Sequence, residues 1–475
     1  MPDDVAPTEV ATALRAGFDL QRASYLARPN PDLGQRKADL RSLRRFVLEN
    51  KDQLCEAINA DYGHRSRYET LLADIIPTVD AIDHALRHLQ GWMRPQRRSV
   101  DLRTFFGAQN RILPQPLGVV GVIVPWNFPV FLSFGPLTDI FAAGNRAMVK
   151  MSENSRNLTR FLIKRVAEYF PPEKLMFFDE SGGVGVAFSR LPFDHLLFTG
   201  SGQTGRMVMA AAAHNLCPVT LELGGKSPAI VSDDYPLRKA AERMLYVKCF
   251  NAGQVCVTVD YAWLPEKHIA AFVEMSREIV RGRFRGLDSA DYTSIIDERA
   301  FTRLRKALDE ARERGAQLLS LLEGPAFDVK SRKIAPHIVL NAPQDCELLS
   351  REIFGPVLPV LGYSSIETVI AQINAGPRPL AVYPFSNDEN FINRILEHVM
   401  SGGVAVNDAM FQVIQHDMPF GGIGGSGMGQ YHGREGFLTF SKMRPVFRQA
   451  RFSATKLLAP PYGRLADRIL SWRLH

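Results

Sequence analysis

Cysteine is scarce. The chain of 475 residues carries 5, at Cys55, Cys217, Cys249, Cys256 and Cys346. Their number is odd, their spacing is irregular, and no two form a CxxC pair. That excludes a disulfide scaffold, a zinc ribbon and a dithiol redox motif, and it fits reduced thiols in a cytoplasmic protein. Histidines are also few, 11 in all, and none has ligand spacing, so no metal is expected. The chain opens Met1-Pro2-Asp3-Asp4, which is no secretory leader. A membrane span is not expected either. Residues 112–138 carry no charge and are long enough to cross a bilayer. Asn127, Pro125, Pro129 and Pro136 interrupt them, and Gly118, Gly121 and Gly135 loosen them. They read as a strand, a loop and a buried helix. No repeat of about 20–50 residues recurs, and no tract is of low complexity.

What is present is an ordinary globular composition. Apolar residues make up 46% and charged residues 23%, so wholesale disorder is excluded and the core needs no staples. The length allows about three domains. The net charge is +7, but residues 443–475 hold seven Lys or Arg against one acid, Asp467. The remaining body is nearly neutral, which argues against a nucleic-acid binder. The basic tail reads as a partly helical extension lying on a neighbouring subunit; a membrane-surface patch is the sharper alternative.

Hydrophobic periodicity divides the chain. The first ninety residues look helical, with Leu40, Leu43, Phe46, Val47 and Leu54 on one face and Leu72, Ile75, Ile76, Val79, Ile82 and Leu86 on another. Pro77 is expected to kink the second helix. Residues 99–116 suggest an extended excursion or hairpin. From 117 onward short apolar runs alternate with amphipathic stretches. Strands are expected at 117–124, 146–150, 174–178, 195–199, 217–223 and 228–231, with a late one at 402–407. Helices are expected at 155–169, 203–214, up to about 250, and at 269–280 and 300–314. Leu158, Leu162 and Val166 share one face of the first of these, which Ser155 can cap. Such alternation means an α/β protein with an open, mostly parallel sheet. Residues 419–429 form a glycine-rich loop.

Four segments could carry chemistry. Gly200-Ser201-Gly202-Gln203-Thr204-Gly205 is a literal GxGxxG between a strand and a helix, where backbone N–H groups can face a pyrophosphate. Gly422-Ile423-Gly424-Gly425-Ser426-Gly427 matches as well, but in the wrong context, so the pattern alone is weak. Glu222 precedes Gly224 and Gly225, which leave a carboxylate uncrowded for general-base work; a salt bridge to Lys226 is the plainer alternative. Phe250-Asn251-Ala252-Gly253-Gln254-Val255-Cys256 closes a helix on a thiol, which a base or an electropositive site would have to activate. Pro125-Trp126-Asn127-Phe128-Pro129 holds an amide that could donate to a developing oxyanion, or simply cap its own loop.

Together these segments resemble the aldehyde dehydrogenase superfamily. The matching stretches are 125–129, 148–153, 198–205, 221–228, 250–256, 352–356, 402–407 and 419–422, in family order. Glu222 and Cys256 also keep the family's 34-residue separation. Lys150-Met151-Ser152-Glu153, Leu191-Pro192-Phe193-Asp194-His195, Gly427-Met428-Gly429-Gln430-Tyr431-His432-Gly433 and Leu457-Leu458-Ala459-Pro460-Pro461-Tyr462-Gly463 are most similar to the class 3 branch that contains coniferyl aldehyde dehydrogenases.

The resemblance implies a Rossmann-like NAD(P)-binding domain over 1–98 and 117–224, a catalytic α/β domain over 225–425, and oligomerisation or bridging segments over 99–116 and 426–475. It implies Cys256 as nucleophile, Glu222 as base, and Asn127 with the Cys256 N–H as oxyanion hole. Lys150 and Glu153 would hold the adenine ribose, and Glu352 the nicotinamide ribose. Gly200, Ser201 and Gly205 would lie at the pyrophosphate, with Phe354 and Trp126 by the nicotinamide. This overrules a ribose role for Glu222. The cofactor implied is NAD, favoured by Glu153, with NADP open. The expected reaction is oxidation of an aromatic, coniferyl-type aldehyde through a thiohemiacetal and a thioester. It requires an ionised sulfur within reach of amide, carboxylate and nicotinamide. A medium-chain aliphatic aldehyde is the alternative substrate. A CoA-acylating enzyme is less expected, because that branch lacks the base that Glu222 supplies. A homodimer is implied. Trp126, Phe131, Phe411 and Tyr246 are candidate pocket liners. Val255 departs from the small polar residue common before the nucleophile and is a candidate contact for substrate or cofactor. Gly202 suggests a more flexible phosphate loop.

Overall fold

A computed structural model describes residues 9–180, 183–451, 453 and 459–474. The opening Met1–Asp4 motif and Leu457-Leu458 of the tail motif lie outside the described residues. Four helical segments come first: Glu9–Ala27, Leu33–Glu49, Lys51–Tyr62 and Arg67–Trp92 in several parts. Asp32 caps the second, its carboxylate accepting the Gln35 N–H at 2.9 Å. Pro77 does not kink a continuous helix. A π-turn at Leu71–Ile75 interrupts it first, and Pro77 stands in the opening turn of Ile76–Trp92, where its missing N–H costs nothing. The π-turn rotates Leu72 and Ile76 outward, so these two are exposed where the periodicity placed them inside.

The six-stranded sheet runs Gly427–Met428, Val219–Leu223, His195–Gly200, Val119–Ile123, Arg146–Lys150, Leu175–Phe178 in spatial order. All neighbours are parallel except the first pair. Every residue of Val119–Ile123 and Arg146–Lys150 is buried, as continuous apolar strands covered on both faces must be. The uncharged stretch resolves into strand Val119–Ile123, a loop, and helix Phe131–Ala143, which is buried along its whole length. No helix among the described residues is long and apolar enough to cross a membrane.

A seven-stranded sheet orders Gln317–Ser320, His337–Leu340, Val357–Tyr363, Tyr261–Pro265, Pro228–Val231, Ala381–Phe385 and Gly403–Val404. Only Pro228–Val231 and the last of these had a clear sequence signal, and the last is two residues long. The expected hairpin exists as Gln96–Arg98 paired with Gln109–Pro116. A strand that was not anticipated, Ser441–Arg448, completes it by pairing antiparallel with Gln109–Pro116 along eight residues. The tail is not a free arm. Helix Arg464–Leu474 meets its own chain, with Arg473 Nη2 2.7 Å from Asp101 Oδ2 and Arg103 over the Trp472 ring at 5.8 Å.

Candidate active site

The C-terminal ends of the six-stranded sheet's parallel strands face the N-terminal ends of the seven-stranded sheet across a cleft of about 1120 Å³; the carboxyl ends of open α/β strands are where such sheets hold ligands. Asn127, Glu222 and Cys256 all line it. So do Trp126, Glu153, Gly200, Ser201, Glu352 and Phe354. Two candidates do not. Lys150 ends its strand buried in an ion pair with Glu180, and Gly205 packs inside its helix, where a Cβ would lie 2.8 Å from Leu223. Of the candidate aromatic liners only Trp126 reaches the cleft. Tyr246 and Phe411 stack on each other at 6.0 Å, and Phe131 packs edge-on to His432. Val255 is buried in the core and does not line the cleft.

Cys256 follows a strained turn. Helix Leu237–Cys249 ends, and Asn251, Ala252 and Gly253 then take left-handed conformations with φ of 50°, 50° and 72°. Two consecutive non-glycine residues in this region are costly, and the surroundings have to hold them. The hold is visible. Asn251 N–H donates to Glu69 Oε1 at 2.9 Å, and Gln254 Nε2 donates to the Asn251 and Ser294 carbonyls at 2.9 and 3.0 Å. Gly253 is required by space as well as by φ, since a Cβ there would sit 2.3 Å from the Gly355 carbonyl. The turn delivers a half-buried Cys256 sulfur onto the backbone N–H groups of Cys256 and Val257.

The expected ionised sulfur is not the state of the free protein. Burial, with Glu352 and Glu222 nearby, pushes the Cys256 thiol up to about 12. No cation of the described residues ranks with the main influences on this thiol, so desolvation and like charge win over the two N–H groups. Glu222 is likewise raised well above the carboxylate range by burial alone. Its neighbours on the sheet are Thr199 and Gly427, and both its carboxyl oxygens are buried without a hydrogen-bond partner. Lys226 does not pair with it. That ammonium goes to Asp260 instead and to the Leu348 carbonyl at 2.9 Å. Two buried acceptors left idle beside a thiol are a poor structural device and a good base in waiting.

Asn127 lies opposite. Its Nδ2 donates one hydrogen to the Gln254 carbonyl at 3.3 Å, and its second N–H is left for the cleft. Its own carbonyl is held by the Arg65 guanidinium at 2.8 Å and the Tyr62 hydroxyl at 3.1 Å. Tyr62, Glu69 and Asp74 come from the N-terminal helices and Arg65 from the loop that joins two of them. No spacing in the sequence singles them out, because the Asn127, Val130 and Asn251 groups they bind lie 56 to 189 residues away in the chain.

The other end of the cleft suits a dinucleotide. Ser201 caps helix Gly202–Ala213, its Oγ accepting the Thr204 N–H at 3.2 Å, so the positive helix end opens into the cleft. Gly202 meets only Arg206 at 3.8 Å and has an ordinary φ, so flexibility is not needed there. Glu352 is pushed up to about 8 by burial with Asp260 behind it, and its Oε1 has no partner. Gly224 leaves room for this carboxyl, because a Cβ would fall 1.9 Å from Glu352 Oε2. Phe354 and Trp126 meet edge to face at 5.4 Å. The second glycine motif, around Gly424, is a tight turn in which the Ile423 N–H donates to Ser426 Oγ at 3.0 Å. No cluster among the described residues has the composition of a metal site.

The model of the aldehyde dehydrogenase family matches residues 15–446. The chain belongs to the aldehyde dehydrogenase family. It is 49% identical over 459 residues to a probable coniferyl aldehyde dehydrogenase of Pseudomonas aeruginosa, covering 96% of this chain and 95% of that one. The fold is that of Staphylococcus aureus AldH in a substrate-bound state, with a TM-score of 0.91, 31% identity, and coverage of 97% and 99%. It is shared with a Mycobacterium tuberculosis aldehyde dehydrogenase complexed with NAD+, at a TM-score of 0.82 and 26% identity over 93% and 90% of the two chains. The dehydrogenase is therefore an enzyme acting on aldehydes, and the cleft between its sheets is the part of the fold with the groups for that chemistry.

Proposed function

We propose that the enzyme oxidises an aromatic, coniferyl-type aldehyde to its acid with a nicotinamide dinucleotide, using Cys256 as nucleophile and Glu222 as base. The observation that carries this reading is the convergence of a thiol, an amide with a spare N–H and a buried carboxyl without hydrogen bonds on one cleft.

The residues fit the cofactor on the same grounds. The capped end of Gly202–Ala213 would take the pyrophosphate, Glu352 with its idle oxygen the nicotinamide ribose, and Glu153 the adenine ribose. Lys150 would join Glu153 only after leaving Glu180. A carboxylate at the adenine ribose favours NAD over NADP. When bound, the oxidised nicotinamide supplies a hydride acceptor and a positive charge.

The Cys256 proton leaves to solvent, directly or relayed through Glu222, which is a free carboxylate again before deacylation, and the sulfur adds to the carbonyl carbon. A C–S bond forms, and the carbonyl electron pair moves to oxygen. Asn127 Nδ2 and the Cys256 N–H receive that charge; one such donor is worth about 3–4 kcal/mol. Loss of hydride from the carbon leaves a thioester. Glu222 then takes a proton from water, the hydroxide adds to the thioester carbon, the C–S bond breaks, and acid and thiol are released. General-base help of this kind gives about 10²–10⁴-fold. Support for the aromatic substrate comes from the 49% identical relative's name. We place the enzyme as a homodimer.

The test is NADH formation with cinnamyl, benzyl and aliphatic aldehydes, each run with NAD and NADP. Cinnamyl-type substrates with NAD should give the highest kcat/KM. Cys256→Ser should abolish turnover. Glu222→Gln should keep a pre-steady-state burst of NADH while steady turnover falls at least about 100-fold; undiminished steady turnover would remove Glu222 from the base role.

A further inference from the structure

The oxyanion amide belongs to a loop that is gripped at both ends. Arg65 Nη1 donates to the Asn127 carbonyl at 2.8 Å, and Arg65 Nη2 is 3.1 Å from Asp74 Oδ2. The other oxygen of the same carboxylate, Asp74 Oδ1, accepts the N–H groups of Val130 at 2.9 Å and Phe131 at 3.1 Å. One ion pair therefore spans the loop from residue 127 to residue 131. Both side chains are fully buried, at 0% exposure.

A buried ion pair is a weak device for stability, since desolvation of both charges cancels most of the attraction. This one is placed with unusual local structure. Asp74 stands in the π-turn Leu71–Ile75, the irregular step that directs its carboxylate inward. The guanidinium lies over the rings of Tyr62 at 5.0 Å and Phe128 at 5.2 Å, and its Nε has no partner at all. Tyr62 extends the grip. Its hydroxyl donates to the Asn127 carbonyl at 3.1 Å and accepts from Asn251 Nδ2 at 3.1 Å. Asn251 begins the left-handed turn that leads to Cys256. The carbonyl of the oxyanion donor and the turn of the nucleophile thus share one hydroxyl.

We propose that Arg65 and Asp74, with Tyr62, form a clamp that sets the Asn127 amide against the Cys256 sulfur, and that they are positioning residues for the attack step. The proposal rests on Asn127 being the oxyanion donor. Arg65 does not touch substrate: it acts through the main chain of Asn127. An amide that drifts by an ångström loses its bond to the developing charge and keeps its place in the fold.

The experiment is a double-mutant cycle on the burst rate of NADH formation in the full-length enzyme. Arg65→Lys, Asp74→Asn and Tyr62→Phe are each made alone and on Asn127→Ala. Each single variant should slow the burst about tenfold, with NAD affinity and aldehyde KM within about twofold of wild type. On Asn127→Ala the same changes should cost nothing further. Hydrolysis of nitrophenyl acetate, which needs the sulfur and the amide but no cofactor, should fall by the same factor in each variant. Losses that recur in full on Asn127→Ala, or an unslowed burst in Arg65→Lys and Tyr62→Phe, overturn the clamp. An Asn127→Ala enzyme with a wild-type burst overturns the oxyanion role beneath it, which is a different outcome. Should Arg65→Lys fail to fold, Tyr62→Phe removes one hydroxyl and no charge and carries the cycle alone.

Discussion

In the free enzyme the Cys256 sulfur is protonated at neutral pH. Its pKa lies near 12 because the charged form is buried beside two carboxyls. The sign follows directly. A raised thiol pKa means that the reactive thiolate fraction grows about tenfold per pH unit until that value is reached. Alkylation by iodoacetamide should therefore be slow at pH 7, rise about tenfold per unit up to pH 10, and speed up when oxidised NAD brings its positive ring. Mass spectrometry can read this at one site, because Cys55, Cys217, Cys249 and Cys346 are buried and Cys256 alone is partly exposed. A rate that levels off below pH 8 would show that the thiolate forms without the cofactor. That this sulfur shares a cleft with Glu222 and Asn127 is legible in the chain, since the three stand in motifs that can be matched one at a time. Its protonation state is not, because it depends first on burial by the folded chain and then on Glu352, which lies 96 residues away.

At the scale of elements, the motifs end where tertiary support begins. The parallel strands of the first sheet were readable because full burial makes them continuous apolar runs. Strands such as Tyr261–Pro265 and Ala381–Phe385 carry tyrosine and proline in the run, and their burial comes from neighbours distant in sequence. From sequence the turn before Cys256 reads as a plain helix end. Its left-handed run at Asn251, Ala252 and Gly253 depends on Glu69 and Ser294, which no local pattern announces. Gly253→Ala tests this dependence. A methyl there meets the Gly355 carbonyl at 2.3 Å on a residue with φ of 72°, so either the turn or the segment behind Phe354 has to move. We expect a loss of about 2 kcal/mol or more in denaturant unfolding and a fall in kcat of about 100-fold. Retained kcat alongside reduced stability would mean that the turn can shift without moving the sulfur.

Among the described residues, the three-stranded sheet ends in an unpaired edge. Strand Ser441–Arg448 is an edge of the three-stranded sheet, and its outward residues are mostly exposed. Phe106 at 83% exposure and Phe447 at 51% stand on that projection. An open edge with aromatic residues beside it is an aggregation hazard for a monomer and a natural seam for a second copy. The basic tail looked like the better candidate from sequence, because its charge stood out while Ser441–Arg448 had no clear period. Helix Arg464–Leu474 also docks on the loop at Asp101 and Arg103 of its own chain. Two variants separate the possibilities by mass in solution. Truncation after Gln449 should leave the proposed dimer in place, because the edge strand survives it. Phe447→Asp puts a charge on that strand and should shift the protein to monomer. If truncation gives the monomer and Phe447→Asp does not, the tail is the contact and the sheet edge is not.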